Sequence, residues 1–299
     1  MFYNSDMKNN IKYSQNLLVD TSLLEKLVPE SNINKADLVL DIGAGKGAIT
    51  KELLKVAGHV IAYEIDPDYI KDLKSIVSDR LSIKEGSFLG FDLPKDKYKV
   101  FANIPFNKTS EIVKRLLFSK NPPTDIYLVM QKEAIGRFSG RPFDNINSLL
   151  SVLFHPWFEF NVMHEFRKTD FKPIPNVDTV LLNIKQRNNP KVRDEDKSEY
   201  RDFVVFGFSQ MSPNILSGLS RVMNDKHILD LSHKQSFSTN LKPSQLDMDN
   251  WLDLFNLLKY QKLKKRKLIA NSFENWINQQ ENIEKINRTR VDKDWKSFK

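Results

Sequence analysis

From residue 38 to about 184, short apolar runs alternate with amphipathic stretches, and that rhythm restricts the chain to a mostly parallel sheet flanked by helices. Leu38–Ile42 and residues 59–63, 81–83, 98–102, 125–130 and 180–184 read as strands. Ala48–Val56 and residues 70–77 and 110–118 read as intervening helices. A polar, proline-containing stretch at 188–197 then reads as a linker, and 200–208, 214–223 and 249–260 as helices beyond it. The expected fold class is α/β, Rossmann-like, with a small helical domain behind it. The expected divisions are 1–187 for the α/β domain, 188–270 for the helical domain and 271–299 for a charged C-terminal extension.

Charge separates the two parts. The formal net charge is +8. Residues 1–184 carry 24 basic and 23 acidic side chains, and residues 185–299 carry 22 and 15. A near-neutral front half and a basic back half suit chemistry in one place and polyanion attraction in the other. Without any cysteine, disulfides and cysteine-ligated metal sites are excluded, and the five histidines show no metal-ligand spacing. A polar N-terminus and the lack of a long apolar run lead to the expectation of a cytoplasmic protein with no membrane partner, and the chain is separately expected to be a monomer.

Residues 41–47, Asp-Ile-Gly-Ala-Gly-Lys-Gly, lie directly between a strand and a helix. Glycines there allow a sharp turn and close approach to a ligand, and the helix start offers unpaired N–H groups. Gly43-x-Gly45-x-x-Ala48 also satisfies the relaxed dinucleotide fingerprint, so it does not separate nicotinamide cofactors from S-adenosylmethionine. Glu64 ends the next strand, where a carboxylate can accept both hydroxyls of a ribose. Asp66 competes for that role, while Asp66, Asp68 and Asp72 together suit a helix start. His155, before Pro156 and Trp157, reads as structural.

Asn103-Ile104-Pro105-Phe106 follows the fourth strand, where open α/β sheets place their ligands. An aromatic amine is a poor nucleophile because its lone pair is delocalised into the ring. The Asn103 side-chain oxygen and the Ile104 carbonyl could accept its two N–H bonds and localise that pair for attack on a sulfonium methyl. Pro105 would stiffen the turn, and Phe106 would stack on the base. Hydride transfer has no use for such a tetrapeptide.

Taken together, these segments resemble the ribosomal RNA adenine N6-methyltransferases, and more closely the erythromycin-resistance (Erm) branch that modifies 23S rRNA. The matching segments run from about residue 11 to 262. Residues 10–18, Asn-Ile-Lys-Tyr-Ser-Gln-Asn-Leu-Leu, are similar to that family's N-terminal cofactor lid, with Asn16 and Leu18 at its binding positions. Residues 171–179, Phe-Lys-Pro-Ile-Pro-Asn-Val-Asp-Thr, resemble its late Phe-x-Pro-x-Pro-x-Val segment, which implies that Phe171 lies beside the target base. The resemblance implies cofactor contacts at Gly43, Gly45, Glu64, Ser87, Phe88 and Asn103. Ser87 stands where the family usually has an aspartate for the cofactor's adenine, and Phe106 where tyrosine is common. The implied activity is S-adenosyl-L-methionine-dependent mono- or dimethylation of an adenine in naked or partly assembled 23S rRNA, with macrolide-type resistance. Alternatives are the small-subunit rRNA adenine dimethyltransferase, a DNA adenine methyltransferase and a catalytically inert rRNA-binding module. The basic run Lys262, Lys264, Lys265, Arg266 and Lys267 would add phosphate contacts.

Overall fold

A computed structural model describes residues 16–141 and 144–282. The first six residues of the expected lid segment (10–15) and the end of the extension (283–299) lie outside them. The described residues divide into two compact units between Lys191 and Val192.

In the first unit, a short strand β1 (Leu17–Leu18) leads into helix α1 (Thr21–Glu30). There follow β2 (Leu38–Ile42), α2 (Ala48–Val56), β3 (His59–Glu64), α3 (Pro67–Lys74), β4 (Leu81–Glu85), β5 (Lys99–Asn103), α4 (Thr109–Leu117) and β6 (Asp125–Gln131). Two short helices, α5 (Ile135–Ser139) and α6 (Leu149–Phe154), precede β7 (Phe158–Phe166), β8 (Phe171–Lys172) and β9 (Thr179–Gln186). Seven strands form one sheet in the order β4-β3-β2-β5-β6-β9-β7, while β1 and β8 make a separate two-stranded ribbon. Strands β2 to β6 pair in parallel and β9 runs antiparallel to both β6 and β7.

Local chemistry explains these elements. Leu38–Ile42 is buried from Val39 onward, as a parallel strand covered on both faces must be. The apolar residues Ile49, Leu53 and Leu54 give α2 one buried stripe. Asp20 caps α1 by accepting from the Leu23 N–H (3.3 Å). Asp66 caps α3 by accepting from the Asp68 N–H, with Pro67 at the first turn. One core cluster joins Leu24, Leu27 and Val28 of α1 and Leu53 of α2 to Val39, Phe101 and Val129 of the sheet.

Chain order places the first two strands after β2 on one side of it and the next two on the other. The direction of winding therefore reverses between β2 and β5, and the crevice outside their carboxyl ends is where such sheets hold ligands. The glycine turn leaves β2 there and the Asn103 tetrapeptide leaves β5 there.

The second unit contains α7 (Lys197–Ser209), α8 (Ile215–Leu219), α9 (Asp225–Lys234), α10 (Met248–Lys259), α11 (Leu263–Arg266) and α12 (Ser272–Asn282). Its core is aromatic. Phe208 stacks on Trp251 (5.3 Å), and Tyr200 meets Phe255 edge-on (5.2 Å). A Cβ on Gly207 would come within 2.7 Å of the Trp251 ring, so close helix packing requires glycine there.

Candidate active site

The turn after β2 is held in shape from two sides. Gly43, Gly45 and Gly47 all have positive φ (75°, 55° and 81°), which residues with a Cβ adopt only with strain. The Glu64 carboxylate, 1% exposed, receives the Gly45 N–H on Oε2 (2.7 Å) and the Ile65 and Asp66 N–H groups on Oε1 (2.7 and 2.9 Å). Glu64 thus clamps the glycine turn to the end of β3 and still lines the cavity beside it. Oε1 already accepts two of these bonds and Oε2 one, so a lone pair remains on Oε2 and a ribose contact is compatible with the clamp.

Asp41 supports the same turn from beneath. Its Oδ2 accepts from the Thr50 hydroxyl on α2 (2.6 Å), and its Oδ1 is buried with no hydrogen-bond partner among the described residues. Burial drives the Asp41 carboxyl up to about 7, against the Thr50 hydroxyl, while the negative charge of Glu64 pushes the same way as burial.

Two cavities meet at Gly43. The first, of ≈ 140 Å³, is lined by Gly43, Glu64, Ser87, Phe88, Pro105 and their neighbours. Phe88 is buried and braced edge-on by Tyr63 (5.2 Å). The second, of ≈ 440 Å³, is lined by Leu17, Leu18, Gly43, Lys46, Tyr69, Asn103, Lys172 and others. One is narrow, largely apolar and edged by an acid; the other is wide and contains the tetrapeptide's asparagine. A nucleoside cofactor fits this pairing, with glycine at the crossing because the chain must lie close to it.

Asn103 donates from Nδ2 to the Asn16 carbonyl (2.7 Å). A carbonyl only accepts, so this bond fixes which end of the amide is nitrogen and leaves Oδ1 as its acceptor. Asn16 immediately precedes β1, whose Leu17 and Leu18 pair antiparallel with Lys172 and Phe171 of β8. Ile104 is 1% exposed, and Pro105 opens a short helical turn in which the Phe106 carbonyl accepts from the Thr109 hydroxyl (3.0 Å). Phe106 is partly exposed at this turn and lines neither cavity.

Phe171 requires a correction. The resemblance implies a ring beside the target base, but Phe171 is 2% exposed and packs on Phe166 (5.3 Å) within the core cluster that includes Leu18. Alternation along β8 explains this: with Phe171 inward, Lys172 turns outward, and it is Lys172 and Pro173 that line the Asn103 cavity.

The basic run also divides. Arg266 makes a bidentate ion pair with Glu199 of α7 (2.6 and 2.5 Å), and Lys265 donates to the Met223 carbonyl (3.3 Å). Arg266 is thereby paired within the helical unit, while the single bond of Lys265 leaves its ammonium other donors. Lys262, Lys264 and Lys267 are exposed. Lys46, Tyr69, Lys172 and the Asp41–Thr50 pair are site features that the sequence reading missed, although Asp41, Lys46 and Lys172 all fall inside its motifs. No group of side chains among the described residues is arranged to hold a metal ion, and no helix among them is long and apolar enough to cross a membrane.

Comparison with known proteins bears on this geometry. Residues 6–260 match the family model described as ribosomal RNA adenine dimethylase. The ribosomal RNA small subunit methyltransferase A of Mycoplasma capricolum is 32% identical, over 84% of this chain and 98% of its own length. An rRNA adenine N-6-methyltransferase from Bacteroides fragilis is 30% identical, over 81% and 90%. Among solved structures, the 23S rRNA methyltransferase ErmE superposes with a TM-score of 0.73 at 25% identity, covering 82% of this chain and 100% of that one. A dimethyladenosine transferase from Plasmodium falciparum (TM-score 0.67, 22% identity, 84% and 98% covered) shares the fold.

Proposed function

This chain belongs to the ribosomal RNA adenine dimethylase family, rRNA adenine N6-methyltransferases that use S-adenosylmethionine, and from that premise we propose that it dimethylates adenine in small-subunit rRNA. The observation that carries the choice of subunit is the 32% identity to a small-subunit methyltransferase along 98% of that protein's length. A second reading, methylation of 23S rRNA with macrolide-type resistance, draws support from the superposition with ErmE over that protein's full length. Either substrate is cytoplasmic in a bacterium, and action there is part of the proposal.

The site residues fit the cofactor. When bound, S-adenosylmethionine supplies a methyl group made electrophilic by its sulfonium centre. In the proposed arrangement, Glu64 receives the ribose, while Ser87 and the buried Phe88 form the polar and apolar contacts to adenine. A hydroxyl at position 87 accepts more weakly than a carboxylate would. Leu17 and Leu18 close over the glycine turn: a Cβ added to Gly45 would lie 3.0 Å from the Leu17 side chain.

Asn103 acts on the target. Its Nδ2 is committed to the Asn16 carbonyl, so Oδ1 is preset to accept one N–H of the adenine amine, and the Ile104 carbonyl accepts the other. Drawing on both N–H bonds returns the lone pair to nitrogen, and preorganised acceptors do so without reorganisation during the reaction. Phe106, at the open turn, stacks on the base.

Reverse-transcription mapping of rRNA from cells with and without the gene tests the reading. Gene-dependent stops at adjacent adenines of small-subunit rRNA are expected. A single new stop in 23S rRNA selects the second reading, and gene-independent profiles overturn both.

A further inference from the structure

Lys46 of the glycine turn and Lys172 of β8 line the cavity that contains Asn103. Both are exposed, and neither is in an ion pair among the described residues. Other lysines beside the catalytic turns and ribbon are neutralised. Lys108 is held by Glu111 (3.2 Å), Lys132 by Glu165 (2.7 Å) and Lys168 by Asp178 (3.5 Å). No aspartate or glutamate lines the Asn103 cavity. Two uncompensated cations facing one space create a local positive potential that favours an anion.

The apolar rim sharpens the identity of that anion. Val19, which also lines the cavity, is 51% exposed, and Ile174, two residues beyond Lys172, is 65% exposed. They follow the two strands of one ribbon, so cations and exposed apolar side chains occur together. A single-stranded nucleic acid presents that pairing in reverse, with phosphates along its backbone and flat apolar base faces beside them.

We propose that Lys46 and Lys172 grip the RNA phosphates flanking the target adenosine, with Val19 and Ile174 against the neighbouring bases. This rests on the reading that the chain methylates an rRNA adenine. It assigns part of RNA recognition to the α/β unit, and it makes the ribbon a positioning element for the substrate. Phosphate contacts here fix the register of the strand and read no sequence themselves.

The test uses the full chain with Lys46→Gln, Lys172→Gln, the double variant, and Lys132→Gln as a paired-lysine control. Methyl transfer gives the KM for an rRNA fragment and for the cofactor, and fluorescence anisotropy gives RNA affinity across a salt series. Each cavity substitution is expected to raise the RNA KM about tenfold, as loss of a charged contact does, while the cofactor KM is unchanged. The salt slope should fall by about 0.7 for each lysine removed. Lys172→Arg should retain most of the affinity, and the control should match the parent protein. An unchanged RNA KM and salt slope overturn the proposal. So does a rise in cofactor KM in place of RNA KM, which assigns the lysines to the cofactor's carboxylate. If the parent protein transfers no methyl to any rRNA, the functional reading fails, and anisotropy still decides whether these lysines bind RNA.

Discussion

Single side chains at this site work through atoms already committed elsewhere. In the proposed reaction Asn103 serves as an acceptor because its amide nitrogen is held by the Asn16 carbonyl. Replacing Asn103 with alanine should lower kcat at least about 100-fold, the usual cost of losing a preorganised polar group at a reacting centre, with much less effect on thermal stability. Single-turnover methyl transfer and a melting curve check the two halves of that statement. Asp41 offers a different test, because burial raises its carboxyl from 3.8 to about 7. A group whose value is raised on folding favours the fold fully only below its unfolded value. That contribution is lost as pH climbs from about 4 to about 7, and is worth on the order of 4 kcal/mol. Asp41→Asn should therefore flatten the fall in Tm across that window. Parallel profiles for parent and variant would show that Asp41 ionises normally.

Elements that are too short to be stable alone become informative through their pairing. The ribbon of β1 and β8 has only two paired positions, yet it seats Leu18 and Phe171 in the core and brings Asn16 to Asn103. Leu18→Ala should cost about 2–3 kcal/mol in denaturant unfolding and weaken cofactor binding as well, since Leu18 is both core and cavity wall. Gly45→Ala should cost about 1–2 kcal/mol in stability from its positive φ. It should weaken cofactor binding about tenfold, because the new Cβ presses on Leu17 and tilts the N–H held by Glu64; calorimetric titration reads this directly. The glycine turn, α2 and the parallel strands were legible in sequence because local propensity and burial there agree. Strand β7 was not recognised, although Phe158, Phe160 and Val162 alternate with Glu159 and Asn161. It sits at the sheet edge with a register shift between Val162 and His164, which interrupts the period on which such readings depend. Helix α9 escaped for a related reason: only Ile228 and Ser232 are buried along it, so its apolar stripe is thin.

At the scale of the molecule, the described residues beyond the family match, 261–282, belong to the helical unit. Asp202 of α7 accepts the Asn271 and Phe273 N–H groups (3.1 and 2.8 Å) at the start of α12, and Arg201 lies over the Phe273 ring at 5.1 Å. Arg266→Ala should destabilise this unit by about 1–2 kcal/mol, a value reduced by the partial exposure of its pair with Glu199. Exchanging Lys262, Lys264 and Lys267 together for glutamine should leave Tm unchanged while lowering RNA affinity and its salt slope; a melting curve and salt-dependent binding separate the two outcomes. The sequence by itself determined the α/β class, the glycine turn, the acid at the end of β3 and the tetrapeptide after β5, because each depends on residues adjacent in the chain. Only the tertiary structure decided which members of those motifs face the cavities. It turned Phe171 into the core and Lys172 out of it, tied Asn103 to a carbonyl 87 positions earlier, and set Arg266 against Glu199. Strand pairing and burial fix such orientations across long separations, and a linear motif carries no record of its distant neighbours.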